Sequence, residues 1–237
     1  SRGANEKIRV AVAGINGQGR THINGYAGMK DVEIVYLVDP DSRLFESRCK
    51  EIEEKAGYRP KCEQDIRKVL EDKSIDVVSI ATPNHWHSLM TIWACQAGKD
   101  VYVEKPMSHN IHEGRIAVET ARKYKRIVQH GTQSRSDMKW AKAVAAVASG
   151  KLGKLLISRA LCYKSGDGKS TRGDIGFQPH MQPPKELDFN LWLGPAREQP
   201  YHENIVHYRW HWFWDFGNGD LGNQGVHQMD IARWAIP

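Results

Sequence analysis

Long apolar runs are absent from this sequence. Nowhere do about 18 apolar residues follow one another, so no transmembrane helix and no membrane partner are expected. Cysteine is scarce. Cys49, Cys62, Cys95 and Cys162 form no Cys-x-x-Cys pair and stand at no metal-ligand spacing, so they read as free thiols, mostly buried, and no metal is expected. Free thiols favour a reducing compartment. Blocks of one charge are missing too. The net charge is +6 and the pI about 9.1, but lysines and arginines are interspersed with acids. A solvated surface that favours anionic ligands is therefore expected, and no nucleic-acid partner. Internal repeats and low-complexity segments are also lacking, which sets repeat arrays aside.

What is present is an ordinary globular composition, 40% hydrophobic and 26% charged over 237 residues, room for one large domain or two small ones. Strand and helix patterns alternate from the start. Residues 8–13, 32–38, 76–81, 101–103 and 126–130 read as buried strands. Residues 42–56, 63–71, 85–97 and 112–124 read as helices, as does the stretch from the first glycine turn to about Met29. Short connections between such elements imply a doubly wound parallel sheet, an α/β fold over residues 1–131. The pattern then changes. Residues 136–149 predict an alanine-rich helix, 155–163 a long strand, 165–200 an extended loop and 226–235 a last helix. Residues 132–237 are thus expected to form an incomplete α+β domain, mostly antiparallel in its sheet.

The first strand runs into Gly14-Ile-Asn16-Gly17-Gln18-Gly19. Read as G-x-G-x-x-G, the turn has Asn16 where the middle glycine belongs. Asn tolerates left-handed backbone, and Gly17 adds freedom beside it. A turn of this kind brings backbone close to a pyrophosphate at a helix N-terminus, though it also suits a plain tight connection. Asp39 follows Gly19 by 20 residues, at the end of the second strand, or is an ordinary turn residue before Pro40. An acid there binds both ribose hydroxyls of NAD and repels a 2′-phosphate, so NAD is favoured over NADP; nearby Arg43 weakens that preference. A further strand ends on Glu104-Lys105-Pro106, which places a lysine at the carboxyl end of the sheet, where open α/β sheets bind ligands.

These segments resemble the Gfo/Idh/MocA oxidoreductases, the glucose–fructose oxidoreductase and inositol dehydrogenase relatives. The resemblance rests on Val12-Ala-Gly-Ile-Asn-Gly-Gln-Gly-Arg20, Ala81-Thr-Pro-Asn-His-Trp-His87 and Ala97-Gly-Lys-Asp-Val-Tyr-Val-Glu-Lys-Pro106, in that order and spacing. It continues more weakly through Trp192-Leu-Gly-Pro195 and residues 219–230. It implies that Lys105 contacts the substrate hydroxyl and nicotinamide ribose, that Glu104 holds the loop, and that Pro106 follows a cis bond. Thr82, Pro83, Asn84 and His87 would line the cofactor cleft, and His227 would be the catalytic histidine. The family often carries Asp-x-x-x-His; here the acid's place is held by Asn223. Members usually extend further through an antiparallel sheet, so this chain is expected to stop within its second domain. Homodimers or tetramers are the family's habit. Ser1 in place of Met and the stretch 1–7 resemble the region after a removed export signal, which sets a periplasmic location against the cytoplasmic one suggested by the thiols.

The chemistry expected is hydride transfer between NAD and a secondary hydroxyl of a sugar, glycoside or cyclitol. His227 serves as base, since an imidazole titrates near neutrality, and Lys105 stabilises the developing alkoxide. Each also has a plain structural reading, Lys105 on the surface and His227 packed against Ile231 and Trp234. An NAD-recycling glycoside hydrolase or lyase and a non-catalytic NAD-binding regulator are the alternatives. In the aromatic run 208–216, Trp210, Trp212 and Trp214 alternate as on one face of a strand. Most of them are expected in a core or interface, and one or two at the substrate cleft.

Overall fold

The computed structural model describes residues 7–162 and 175–236, so the export-like start before Lys7, Tyr163 and the first part of the 165–200 loop lie outside the described residues. Six strands, β1 (Ile8–Ala13), β2 (Val32–Val38), β3 (Lys61–Glu63), β4 (Val77–Ile80), β5 (Asp100–Glu104) and β6 (Val128–Gly131), form one parallel sheet in the order 3-2-1-4-5-6. This is the doubly wound order, and its direction reverses between β1 and β4. The alternation along β1 explains how both faces are covered. Val10 and Val12 pack with Ile23 of α1 (Gly17–Tyr26) and with Cys49 and Ile52 of α2 (Phe45–Ala56). Ala11 and Ala13 face the opposite side, toward α3 (Ile66–Leu70), α4 (Asn84–Gln96) and α5 (Ile111–Tyr124).

Local chemistry sets the element ends. Asn110 accepts the Glu113 N–H at 3.0 Å and returns a side-chain bond to the Glu113 carboxylate, which starts α5. Gly57, at φ +77°, ends α2 in the left-handed region. β3 was not expected. Only three residues long and exposed at its centre, it lacks the apolar pattern that marks its neighbours.

Beyond β6 lie α6 (Met138–Ala148), α7 (Phe189–Leu193) and α8 (Val226–Trp234). Residues 155–162 form no strand, since among the described residues no segment pairs with their backbone; Leu156 and Ile157 stay exposed. The tryptophan run is not a strand either. Residues Arg209–Trp212 form a 3-10 turn, which buries Trp210 and leaves Trp214 fully open. A third core gathers Leu187, Trp192, Leu193, Tyr201, Ile205, Trp210 and Phe216. It docks on α4. The Trp86 indole donates to the Trp192 carbonyl at 3.0 Å, and the two nitrogens of buried His85 lie 3.1 and 3.4 Å from the carbonyls of Trp192 and Phe216. Burial on the far side explains why α4 is apolar around much of its circumference.

Candidate active site

A cavity of about 530 Å³ opens over the carboxyl ends of β1, β2, β4 and β5. That volume lies within the usual range for small-molecule sites. Gly14, Asn16, Gly17, Gln18, Asp39, Thr82, Pro83, Asn84, His87, Glu104, Lys105, Asn223 and His227 all line it. The sequence-marked positions therefore converge from both halves of the chain, with two exceptions. Gly19 sits behind the cavity, and Arg43 points elsewhere.

The glycine turn has separable roles. Gly14 has φ +77°, and a Cβ there would lie 2.6 Å from the Ala81 carbonyl oxygen. A Cβ on Gly19 would lie 1.7 Å from the Gly14 oxygen, so this glycine lets α1 close on the strand end. Gly17 at φ +38° has open space around it and only the backbone conformation demands it. Asn16 corrects the sequence reading: its φ of −88° is extended, not left-handed, and its side chain caps nothing. The first turn of α1 contains no acid. The Gly19 and Arg20 N–H groups donate to the Asn16 carbonyl, and the helix dipole is left to favour an anion in the cavity.

Asp39 is buried at the end of β2. One carboxylate oxygen accepts the Ile15 N–H and the other the Asp41 N–H, both at 3.0 Å. Burial pushes its pKa up, against the pull of those two N–H groups. Each oxygen retains acceptor capacity for a ribose hydroxyl. Arg43 instead forks onto Asp41, at 2.8 and 2.6 Å, and does not reach the cavity lining. The nearer carboxylate thus holds the Arg43 guanidinium, the side chain expected at the cofactor. Asp41 also meets His207 Nε2 at 2.7 Å. His207 and its neighbours Tyr208, Trp210 and His211 also line the cavity.

At the middle of the cleft, Thr82 Oγ1 and Asn84 Oδ1 are buried without a hydrogen-bond partner. Buried polar atoms left unmatched are costly; both residues line the cavity, although these two oxygens are themselves shut off from it. His87 braces the floor. Its Nδ1 lies 2.6 Å from the Pro106 oxygen and its Nε2 2.8 Å from the Thr82 oxygen, and burial pushes its pKa down. Neutral, the ring has one N–H and donates it to one of these two carbonyls, which fixes His87 in the cleft wall.

Glu104 is the hub of the other side. One oxygen takes bonds from Gln133 (2.7 Å), His22 (3.0 Å) and Gln18 (3.3 Å), and the other takes the Lys105 N–H. Burial pushes its pKa up, but the His22, Gln133 and Lys105 contacts outweigh this and hold it below the ordinary value. Lys105 follows at the strand end, before a cis Pro106. Its Nζ donates to the Asn223 carbonyl at 2.5 Å and to Asn223 Oδ1 at 3.1 Å. Asn223 lies on a π-turn, Leu221–Gly225, that feeds α8 and so presents His227 to the same cavity.

Several lining or supporting residues were not foreseen: His22, Gln133, Gln64, Asp65 and His207. His22 was within reach, since Gln18 and His22 are four apart on α1 and therefore share a face. Gln133 and His207 are brought in by tertiary folding alone.

The Gfo/Idh/MocA profile, described as an oxidoreductase family with an NAD-binding Rossmann fold, matches residues 8–132. The chain belongs to this family. The C-terminal α/β domain of the same family matches residues 141–236. Among curated relatives, scyllo-inositol 2-dehydrogenase (NAD(+)) of Bacillus subtilis is 32% identical over 149 residues, 62% of this chain and 42% of that protein. A glycosyl hydrolase family 109 protein of Shewanella pealeana is 28% identical over 120 residues, 49% of this chain and 26% of that protein. The WlbA dehydrogenase from Bordetella pertussis, solved with NADH and UDP-GlcNAcA, shares the fold with a TM-score of 0.68 at 20% identity, over 98% of this chain and 59% of that one. The matches to the two curated relatives span less than half of their lengths. NAD is the family's cofactor, and the glycine turn and the Asp39 carboxylate suit it.

Proposed function

We propose that this chain carries the cofactor half and part of the substrate site of an NAD-dependent dehydrogenase that acts on a secondary hydroxyl of a cyclitol, sugar or glycoside. The observation that carries this reading is the meeting of Lys105, Asn223 and His227 at one cavity with the glycine turn and Asp39. The turn and the α1 N-terminus would hold the pyrophosphate, Asp39 the adenosine ribose, and Thr82 and Asn84 the nicotinamide end. When bound, NAD supplies the acceptor for the hydride. The protein's part is to aim the carbon and manage the hydroxyl proton. Lys105 Nζ, fixed by two bonds to Asn223, is a positioned cation for the oxygen that gains negative charge. The His227 imidazole accepts the hydroxyl proton.

Asn223 supports a second reading. A carboxylate at this place would pair with the lysine and strengthen a proton relay; an amide cannot take up a proton. Cleavage of a glycosidic bond with transient oxidation, and no net NADH, suits such a site, and one curated relative is named a family 109 glycosyl hydrolase. Incubation with NAD and scyllo-inositol, myo-inositol or an aryl glycoside separates the readings. NADH accumulation with a cyclitol supports the dehydrogenase. Aglycone release without NADH supports the hydrolase, and neither product with saturating NAD refutes both.

A further inference from the structure

Outside the cavity, two cysteines meet. Cys49 lies on the inner face of α2, almost fully buried, and Cys62 is the middle residue of β3, exposed at the sheet edge. Their sulfurs are 3.4 Å apart and both are free thiols. A disulfide needs about 2.05 Å between sulfurs. The approach required is small, and β3 is a three-residue edge strand with one neighbour, β2, so little packing resists it. The remaining cysteines, Cys95 and Cys162, belong to other parts of the fold, on α4 and beside Asp220.

We infer that Cys49 and Cys62 form a dithiol site that closes into an intramolecular disulfide by exchange with a small-molecule disulfide. The Cys62 thiolate attacks one sulfur of oxidised glutathione, forming a mixed disulfide and expelling one glutathione thiolate. The Cys49 thiolate then attacks the Cys62 sulfur, forming the protein disulfide and expelling the second. Two protein thiols lose two electrons, one glutathione disulfide gains them, and the two protons go to the departing glutathiones. Exposure makes Cys62 the entry point, and proximity makes Cys49 the resolving thiol. The Cys62 residue is open at the sheet edge, but partial desolvation of its thiol and the Cys49 contact push it up to about 12, with Glu46 adding to the rise and Arg59 opposing it. The exchange is therefore slow near neutral pH and faster in alkali. The link would join α2 to the strand that leads into Gln64, Asp65 and Ile66 of the cavity wall.

The test is incubation of the folded protein with oxidised glutathione, followed by acid quench, intact mass and peptide mapping. Wild type is expected to lose two hydrogens, carry no glutathione at Cys62 and yield a peptide linked between Cys49 and Cys62. C49S is expected to hold a stable glutathione adduct at Cys62, and C62S to leave Cys49 unmodified. A stable Cys62 adduct in wild type would overturn the inference. So would two free thiols after an incubation that fully modifies Cys62 in C49S, or Cys49 modified in C62S as fast as in wild type.

Discussion

Lys105 shows how much one side chain depends on its support. The strand places it, Glu104 binds its N–H, and Asn223 holds its ammonium with two acceptors. Lys105→Met keeps the length and removes the charge. It is expected to lower kcat by about 10²–10³-fold, as loss of one well-aimed electrostatic group does. NAD affinity, read by calorimetry, should change far less; an equal loss of both would point to a collapsed loop. Gly19 makes a different demand. A Cβ at 1.7 Å from a backbone oxygen cannot be absorbed by a rotamer change, so Gly19→Ala should destabilise by at least about 1–3 kcal/mol in urea unfolding. Glu104 titrates with a sign that can be checked. Its folded pKa is held below the ordinary 4.5. Its stabilising contribution is therefore full above 4.5 and is lost as pH falls through the folded value. Glu104→Gln should flatten the acid limb of the stability curve.

Among the elements, α4 is the joint between the two halves. His85, at its first turn, is nearly dry, and burial pushes its pKa down to about 4 despite the facing carbonyls of Trp192 and Phe216. The folded value lies below the unfolded 6.5, so the unfolded chain takes the proton first. Stability contributed here is full above 6.5 and falls between 6.5 and about 4, by on the order of 3 kcal/mol. Denaturant midpoints across that window should decline in wild type and decline less in His85→Gln. The elements up to β6 were mostly legible because a parallel sheet buried on both faces leaves continuous apolar strands and glycine or proline stops. β3 was not, since an exposed three-residue edge strand has no such signature. The stretch 155–162 and the tryptophans failed for the opposite reason. Their local pattern suits a strand, but a strand needs a partner, and Trp210 is held instead by a 3-10 turn and by its indole N–H bond to the His207 carbonyl.

The molecule as a whole joins a dinucleotide cleft to a second segment that closes over it. The sequence motifs located the glycine turn, the 82–87 run at the start of α4 and the strand-end lysine, because each is a short run whose chemistry is local. They marked Glu104 but not the His22 and Gln133 side chains that meet it, nor the His207–Asp41 contact. Residues far apart in the chain build these, Gln133 and His22 across α1 and β6, and Asp41 and His207 across both halves. Nor was it legible that Arg43 would be drawn to Asp41 and away from the cleft. With Asp39 lining the cleft and the Arg43 guanidinium engaged by Asp41, NAD is expected to be preferred over a 2′-phosphorylated nucleotide. The most direct measurement is calorimetric titration of the purified protein with NAD and with NADP. Saturable NAD binding, at least tenfold tighter than NADP, is expected, with the gap narrowed in Asp39→Ala. Absence of binding at millimolar NAD, or equal affinity for the two nucleotides, would contradict it.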